Sequence, residues 1–312
     1  MKRLRAWALA STIATFLLIF VGGLVRVSGA GLGCPDWPKC YGRWMPPTSL
    51  AQLPPDVDPS TFNLTLAWIE YTNRLIGVVI GLFILTTAIL AWKYARPKRR
   101  IFYPALAALV LVALEGWQGG AVVGTKLAAL VVTVHMVLAF LIASVLIYLT
   151  LQLHWEVEGV AARSEPRSRS LTRWLWPLWI VAVVSVAFGT QVRSEVEALT
   201  AQFPSEAIAT LMTSVGWIKL AHPVVGGALL VATWWVGLSL LWKANVTTPL
   251  ARSAAWALMI LSVLQMTLGL TLVGVGLPAA LRVLHLWLSS FYVGALVVLH
   301  VTLHSQPGEK NG

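Results

Sequence analysis

Three histidines occupy similar positions in the apolar part of this sequence, and their side chains are potential metal ligands. His135, His222 and His285 each lie a few residues into an apolar segment. Neutral imidazoles on two facing helices can bind one heme iron from both of its sides. A single histidine is equally well explained as a hydrogen-bonded packing residue. Because polar side chains inside a membrane are costly, three at one depth predict a heme-binding region.

The three histidines predict two sites with different ligand sets. His222 and His285 are expected to bind one heme between them. His135 corresponds to His285, but the position that corresponds to His222 holds Asn73, and asparagine is a poor heme ligand. The first site is therefore expected to be five-coordinate, or closed by water or another group, unless Asn73 abolishes it. An incomplete ligand set suits chemistry on a bound porphyrin, whereas a complete pair suits electron transfer.

A carboxylate and an arginine lie close to Asn73. Glu70 precedes Asn73 by three residues and so shares its helix face, and Arg74 follows Asn73 directly. A buried carboxylate needs a neighbouring cation or takes up a proton. Glu70 is therefore interpreted either as the partner of Arg74 in a structural pair or as a proton acceptor beside a substrate.

Three more arginines are candidates for anion binding near the outer surface. Arg26 and Arg193 are predicted to end the first and fifth apolar helices, and Arg282 lies three residues before His285. A guanidinium group binds carboxylates, such as heme propionates, through paired hydrogen bonds. Each arginine can equally extend to lipid headgroups, so both interpretations stay open.

Eight apolar segments carry these residues and predict an all-α protein that crosses a membrane eight times. The chain has 312 residues, of which 58% are hydrophobic and 11% are charged; a soluble domain carries about twice that charged fraction. The net charge of +11 lies in the connections between segments, which does not indicate nucleic-acid binding. The predicted helices cover residues 7–27, 66–92, 101–119, 128–151, 173–189, 215–242, 252–272 and 280–304.

An internal repeat divides the eight segments into two groups of four. Gly119 and His135 have the same spacing as Gly269 and His285. Residues 22–26 and 68–77 likewise match residues 189–193 and 217–226. We therefore predict two four-helix bundles, residues 1–155 and 156–312, related as a parallel repeat by an axis near the membrane normal.

Basic residues in the connections predict the orientation of the chain. They concentrate in residues 1–5, 93–100, 163–173 and 243–252. Because lysine and arginine are enriched in cytoplasmic loops, both termini are expected in the cytoplasm and the long loop 28–65 outside. The protein is expected in the cell (inner) membrane. The first segment is interpreted as a retained helix, because it is longer than the apolar part of a signal peptide.

Both cysteines of the chain lie in the first outer loop. Cys34 and Cys40 are separated by five residues, in the string CPDWPKC. An oxidising outer compartment allows such a pair to form a disulfide. The pair is interpreted as a staple of the loop, with a redox-active pair near a cofactor as the alternative.

Long parts of the sequence resemble the heme A synthase family. Residues 22–44, GGLVRVSGAGLGCPDWPKCYGRW, resemble the signature of its first loop. Residues 70–74, EYTNR, resemble its Glu-x-x-His-Arg motif, with Asn73 in place of the histidine. Residues 189–193, GTQVR, resemble its fifth-helix signature. The resemblance extends over essentially all eight segments.

The resemblance implies an oxidoreductase that converts heme O to heme A by oxidising a ring methyl to a formyl group. Residues 1–155 would hold the substrate heme, bound by His135 with Asn73 and Arg74 nearby, and residues 156–312 would hold a heme b. Glu70 matches the family's catalytically important carboxylate. The heme b would be bound by His222 and His285, with Arg26, Arg193 and Arg282 placed for its propionates. Cys34 and Cys40 match a loop disulfide of some members.

Two aspects of function stay open at this point. The expected partners are heme O, the enzyme that makes heme O, a membrane electron donor and the lipid bilayer; self-association is left open. The alternative function is a non-enzymatic membrane cytochrome that binds heme b for electron transfer or sequestration, and Asn73 is the residue that favours it.

Overall fold

The computed structural model of the protein describes residues 1–159, 173–206, 208–243 and 248–304. This part of the chain is built from α-helices joined by loops and short 3-10 turns, with no β-strand. The helices are α1 Lys2–Val27, α2 Leu64–Ala95, α3 Arg99–Gly124, α4 Ala129–Glu158, α5 Leu175–Gln202, α6 Ile208–Ser214, α7 Ile218–Leu238, α8 Pro249–Gly274 and α9 Ala279–His304. A π-helical turn, Ser239–Lys243, follows α7 directly.

Eight of the helices in the described residues are long and apolar enough to cross a membrane, as the sequence predicts; α6 is too short. A helix satisfies its own backbone hydrogen bonds, which is what a segment in lipid requires.

The ends of several helices are explained by local chemistry. The Asn63 side chain caps α2 by accepting a hydrogen bond from the backbone N–H of Leu66 (3.0 Å). Pro249 begins α8, and Gly159, with φ of 64°, ends α4.

The predicted end of the fifth helix is wrong. The sequence places Arg193 at the outer end of a helix that stops near residue 189, whereas α5 continues to Gln202 and Arg193 lies inside it. The extension beyond residue 189 is polar, and an ion pair between Arg193 and Glu197, four residues apart, supports one of its turns. No proline occurs between residue 189 and Pro204. Loss of apolar character marks where a helix leaves the apolar layer, not where it ends.

Each half packs as its own group of four membrane helices. In the first half, α1 contacts α2 and α4, and α3 lies between α2 and α4; α5, α7, α8 and α9 pack in the corresponding way. A large buried cluster in the second half centres on Leu258, Leu296 and Leu299. The relation of the halves by an axis near the membrane normal stays a prediction.

The two halves meet through α1, α4, α5 and α9. Phe16 stacks on Phe291 with ring centroids 5.2 Å apart, and the Trp287 indole donates to the Phe16 carbonyl (3.0 Å). Nearer the outer side, the hydroxyls of Thr133 and Thr190 hydrogen-bond to each other across the interface. Aromatic packing and hydroxyl pairs are contacts that hold helices together where lipid supplies no hydrophobic driving force.

The first outer loop is a compact unit, and its predicted disulfide is confirmed. Cys34 and Cys40 are joined, and both are completely buried. They pack with Tyr41 and Ala67 in a small core that connects the loop to α2. Residues 163–172 and 244–247, which supply part of the charge pattern used to predict orientation, lie outside the described residues.

Candidate functional site

The second half brings the predicted pair of histidines together. His222 is the fifth residue of α7 and His285 the seventh of α9, so each lies about one to two turns after the start of its helix. Their ring centroids are 6.2 Å apart and the ring planes are 78° apart. Metal–imidazole bonds are about 2 Å long, so two rings that share one metal have centroids about 6 Å apart. The spacing suits one iron between the two rings.

Hydrogen bonds define which nitrogen of each ring is free. His222 donates from Nδ1 to the Ser185 carbonyl (3.1 Å), which leaves Nε2 as the nitrogen with a lone pair. The Gln265 amide nitrogen donates to Nε2 of His285 (3.2 Å) and to its backbone carbonyl (3.0 Å). If His285 binds iron through Nε2, Gln265 keeps only its bond to the carbonyl.

Glycines on the preceding helix make room for each histidine. A Cβ atom on Gly189 would lie 3.0 Å from Cε1 of His222, and one on Gly269 would lie 3.2 Å from Cε1 of His285. Both distances are tighter than ordinary van der Waals contact, so an added methyl group would push the ring. The close approach of backbone and imidazole explains why glycine occupies these positions.

The first half has a similar arrangement around His135, with one side open. Nδ1 of His135 lies 3.4 Å from Oε1 of Glu115, without the alignment of a hydrogen bond. Glu115 is the position that Gln265 holds in the second half. On α2, Asn73 has a buried Oδ1 that accepts no hydrogen bond within the described residues. A Cβ on Gly22 would meet no atom within 4 Å, whereas Gly189 touches His222.

Glu70 and Arg74 form a buried ion pair that also holds the first loop. Glu70 is 7% exposed, and Arg74 donates from Nε to its Oε1 (3.0 Å). The other guanidinium nitrogens of Arg74 donate to loop carbonyls. These acceptors are Asp36 (2.8 Å), Lys39 (2.9 Å) and Cys34 (3.3 Å). With its donors engaged in this way, Arg74 is built to position the loop and Glu70 rather than to contact a heme directly.

The loop is folded around the carboxylate of Asp36. Its two oxygens accept hydrogen bonds from the backbone N–H groups of Tyr41 (2.6 Å) and Gly42 (2.8 Å). Burial, and then the negative charge of Asp36, raise the pKa of the Tyr41 phenol. Tyr41 therefore stays neutral at physiological pH and packs edge-on against Phe62. The loop thus has a defined internal structure before any ligand is considered.

Two arginines from different helices bind one carboxylate, and a third arginine lies near them. Arg26 of α1 donates to Glu197 (2.5 Å), and Arg193 donates to the other oxygen of the same carboxylate (2.8 Å). The positive charge of Arg282 also reaches Arg193. Buried nitrogens of all three arginines lack a hydrogen-bond partner within the described residues. Because two of these cations share a single anion and the third lies nearby, the cluster retains capacity for a further anion.

The described residues fit a heme in their chemistry, and the spacing of the two imidazoles suits one iron. Two neutral imidazoles at iron-sharing distance, glycines that bring helix backbones close to them, and arginine nitrogens free for carboxylates are the parts that a heme site requires. Glu115 and Gln265 are not predicted as histidine partners from the sequence, nor is Glu197 as the common partner of Arg26 and Arg193. Glu115 and Gln265 occupy equivalent positions in the repeat, and this equivalence is the sequence signal that points to both.

The fold and site define a polytopic membrane protein with paired histidines inside its helix bundle. The sequence profile of the COX15-CtaA family, described as cytochrome oxidase assembly protein, matches residues 5–298. The chain therefore belongs to this family.

Curated relatives of the chain carry the name heme A synthase. The protein of Shewanella oneidensis is 33% identical over 155 residues, which cover 47% of this chain and 44% of that relative. The protein of Symbiobacterium thermophilum is 29% identical over 84% of this chain and 83% of its own length. The protein of Geobacillus kaustophilus is 23% identical over 96% of this chain and 91% of its own length. The match to the Shewanella protein thus spans less than half of that relative.

Proposed function

We propose that this protein is a heme A synthase, which oxidises a ring methyl of heme O to the formyl group of heme A. The name shared by relatives that match nearly the whole chain supports the proposal. The observation that carries it is the pair of different histidine sites. The site in the second half has two imidazoles with centroids 6.2 Å apart, and the site in the first half has a single imidazole, that of His135.

In this proposal the second half holds a resident heme b. His222 and His285 would bind its iron, and Arg26, Arg193 and Arg282 would receive its propionates. Bound there, heme b supplies one-electron transfer. The Ser185 carbonyl keeps Nδ1 of His222 protonated, which directs Nε2 toward the iron.

The first half would hold the substrate. His135 binds heme O from one side, and the side of Asn73 stays open because the asparagine amide is a weak ligand. Glu70 would accept protons or stabilise the positive charge that develops at the oxidised carbon, and Arg74 keeps the carboxylate in place. Burial of Glu70 excludes water from this proton acceptor.

We further propose that the protein lies in the cell (inner) membrane with both termini in the cytoplasm. The basic connections and eight candidate spans support this orientation. Heme O synthase would supply the substrate, and a membrane electron donor would serve the heme b. The histidine sites then face the outer half of the bilayer.

The proposed function is tested by co-expressing the chain with a heme O synthase in a host that makes no heme A and then extracting the pigments. We expect heme A, and a drop of roughly 10²- to 10⁴-fold for Glu70→Gln, the range for loss of a proton-transfer group. Glu206→Gln, a change at an exposed outer residue, is the matched control. Absence of both heme A and a hydroxylated precursor from folded, membrane-inserted protein would refute the proposal.

A further inference from the structure

An indole of the first loop lies directly against the backbone of α3. A Cβ atom placed on Gly120 would lie 2.9 Å from Cδ2 and 3.0 Å from Cε3 of Trp37. These atoms belong to the rigid fused ring, so the ring cannot yield by a small rotation. The preceding residue, Gly119, faces Cε1 of His135, where its Cβ would lie at 3.8 Å. Consecutive glycines of α3 thus accommodate the indole and the histidine at one depth.

Trp37 is held in this position from the opposite helix. Its neighbours Asp36 and Lys39 offer their carbonyls to Arg74, which is anchored on Glu70 of α2. The loop is also fastened where Gly33 approaches α2. A Cβ at that position would lie 2.2 Å from the Leu66 carbonyl oxygen, so only glycine fits. A continuous set of contacts therefore links Glu70 to the indole.

The exposed surface of the indole is larger than loop anchoring requires. Trp37 is 46% exposed although one edge is pressed onto Gly120. It therefore presents a flat apolar surface, next along α3 to the glycine that faces His135. Flat aromatic surfaces stack well against planar rings, and a tryptophan offers the largest one.

The second half has no matching contact among the described residues. The interval from His135 to His285 is 285 − 135 = 150 residues, which places Leu270 at the position of Gly120. Leu270 is 63% exposed. The indole is thus a feature of the first half, where a substrate must be presented in one orientation.

We propose that Trp37 is a positioning residue for the substrate: its indole, seated on Gly120, forms a wall of the first-half site and orients heme O so that its reactive edge faces Glu70. The role rests on the proposed function of this site. It assigns to the disulfide loop a direct contact with the porphyrin, in addition to the support that the loop gives to Arg74.

The test uses the full chain, purified with its resident heme, and titrates it with heme O while the absorbance spectrum is recorded. The variants are Trp37→Ala, Trp37→Phe and Gly120→Ala, with Leu270→Ala as the matched control. We expect Trp37→Ala and Gly120→Ala to raise the dissociation constant for heme O roughly tenfold, the order of effect of losing one buried aromatic contact. Trp37→Phe retains a flat ring and is expected to restore most of the affinity.

Three further measurements separate positioning from folding. The disulfide and the low-spin spectrum of the resident heme report on the fold and should not change. The ratio of incompletely oxidised product to heme A should rise in Trp37→Ala, because a substrate that binds in several orientations is released early.

Unchanged heme O affinity and product ratio in both Trp37→Ala and Gly120→Ala would overturn the role. The role would also be overturned if both Trp37→Ala and Trp37→Phe lost the disulfide or the resident heme. The indole would then serve only the fold. If the unsubstituted protein binds no heme O, the proposed function itself fails, which the unsubstituted titration shows separately.

Discussion

Arg26 and Glu197 form an ion pair that joins the two halves of the protein near the C-terminal ends of α1 and α5. The guanidinium lies 2.5 Å from the carboxylate, which Arg193 also binds. The same carboxylate therefore pairs with two arginines from different halves. This contact connects the proposed substrate half directly to the proposed heme b half.

Replacing Glu197 by glutamine is expected to destabilise the protein by about 1 kcal/mol. The pair is partly exposed, which limits its contribution, but its loss leaves Arg26 and Arg193 repelling each other. Thermal unfolding of the purified protein in lipid nanodiscs measures the change. Glu206→Gln, at an exposed position, should unfold like the unsubstituted protein. Equal transition temperatures for the two variants would show that the ion pairs of Glu197 contribute nothing to stability.

Removing either member of the histidine pair is expected to abolish a low-spin heme spectrum. His222→Ala and His285→Ala each leave one imidazole where the iron needs two. Absorbance and electron paramagnetic resonance of the purified protein detect the loss. His154→Ala, at an exposed position near the end of α4, is the control and should retain the signal. A low-spin signal that persists in both variants contradicts the assignment of the pair.

Exchanging the ligands of the two halves is expected to exchange their spin states. Asn73→His adds an imidazole on the open side of the first half, where Gly22 leaves space, so bound heme O should become low-spin. His222→Asn should make the resident heme high-spin in the same way. Resonance Raman spectra of each loaded variant distinguish the two states. An unchanged spectrum of Asn73→His with heme O bound would show that α2 does not face that heme.

A methyl group at the glycine next to His222 is expected to weaken the binding of heme b. Gly189→Ala places a Cβ 3.0 Å from the imidazole and displaces the ring from the iron by several tenths of an ångström. The affinity for heme b should fall roughly tenfold, and the heme content per chain after purification should fall with it. Gly22→Ala is the matched control, because its Cβ meets nothing within 4 Å. Equal heme b content in the two variants would argue against the close contact.

Much of the fold is readable from the sequence because a bilayer imposes a simple rule. A span needs a long apolar run, and only a helix satisfies its backbone there, so eight runs predict eight helices. The rule says nothing about polar extensions, which is why the continuation of α5 to Gln202 was missed. Its extra turns depend on local pairs such as Arg193 with Glu197.

The site was predicted where it depends on residue type and spacing. The repeat placed His222 and His285 at similar depths, and the structure brings their rings to 6.2 Å. Arg74 was expected to lie near the substrate or to pair with Glu70. The structure shows the pair, and the other guanidinium nitrogens of Arg74 donate to carbonyls of the first loop. A side chain's charge is visible in a sequence, whereas its acceptors, backbone atoms more than thirty residues away, are not.

The sequence by itself determined the membrane spans, the equivalence of the histidines and the cysteine pair, because each follows from composition, periodicity or distance along the chain. Only the tertiary structure decided that Glu197 joins Arg26 to Arg193, that Glu115 faces His135 and that Trp37 is seated on Gly120. These contacts join helices distant in sequence, and they depend on how far each helix is rotated about its own axis. That rotation is set by packing among all neighbours together, which no local pattern encodes.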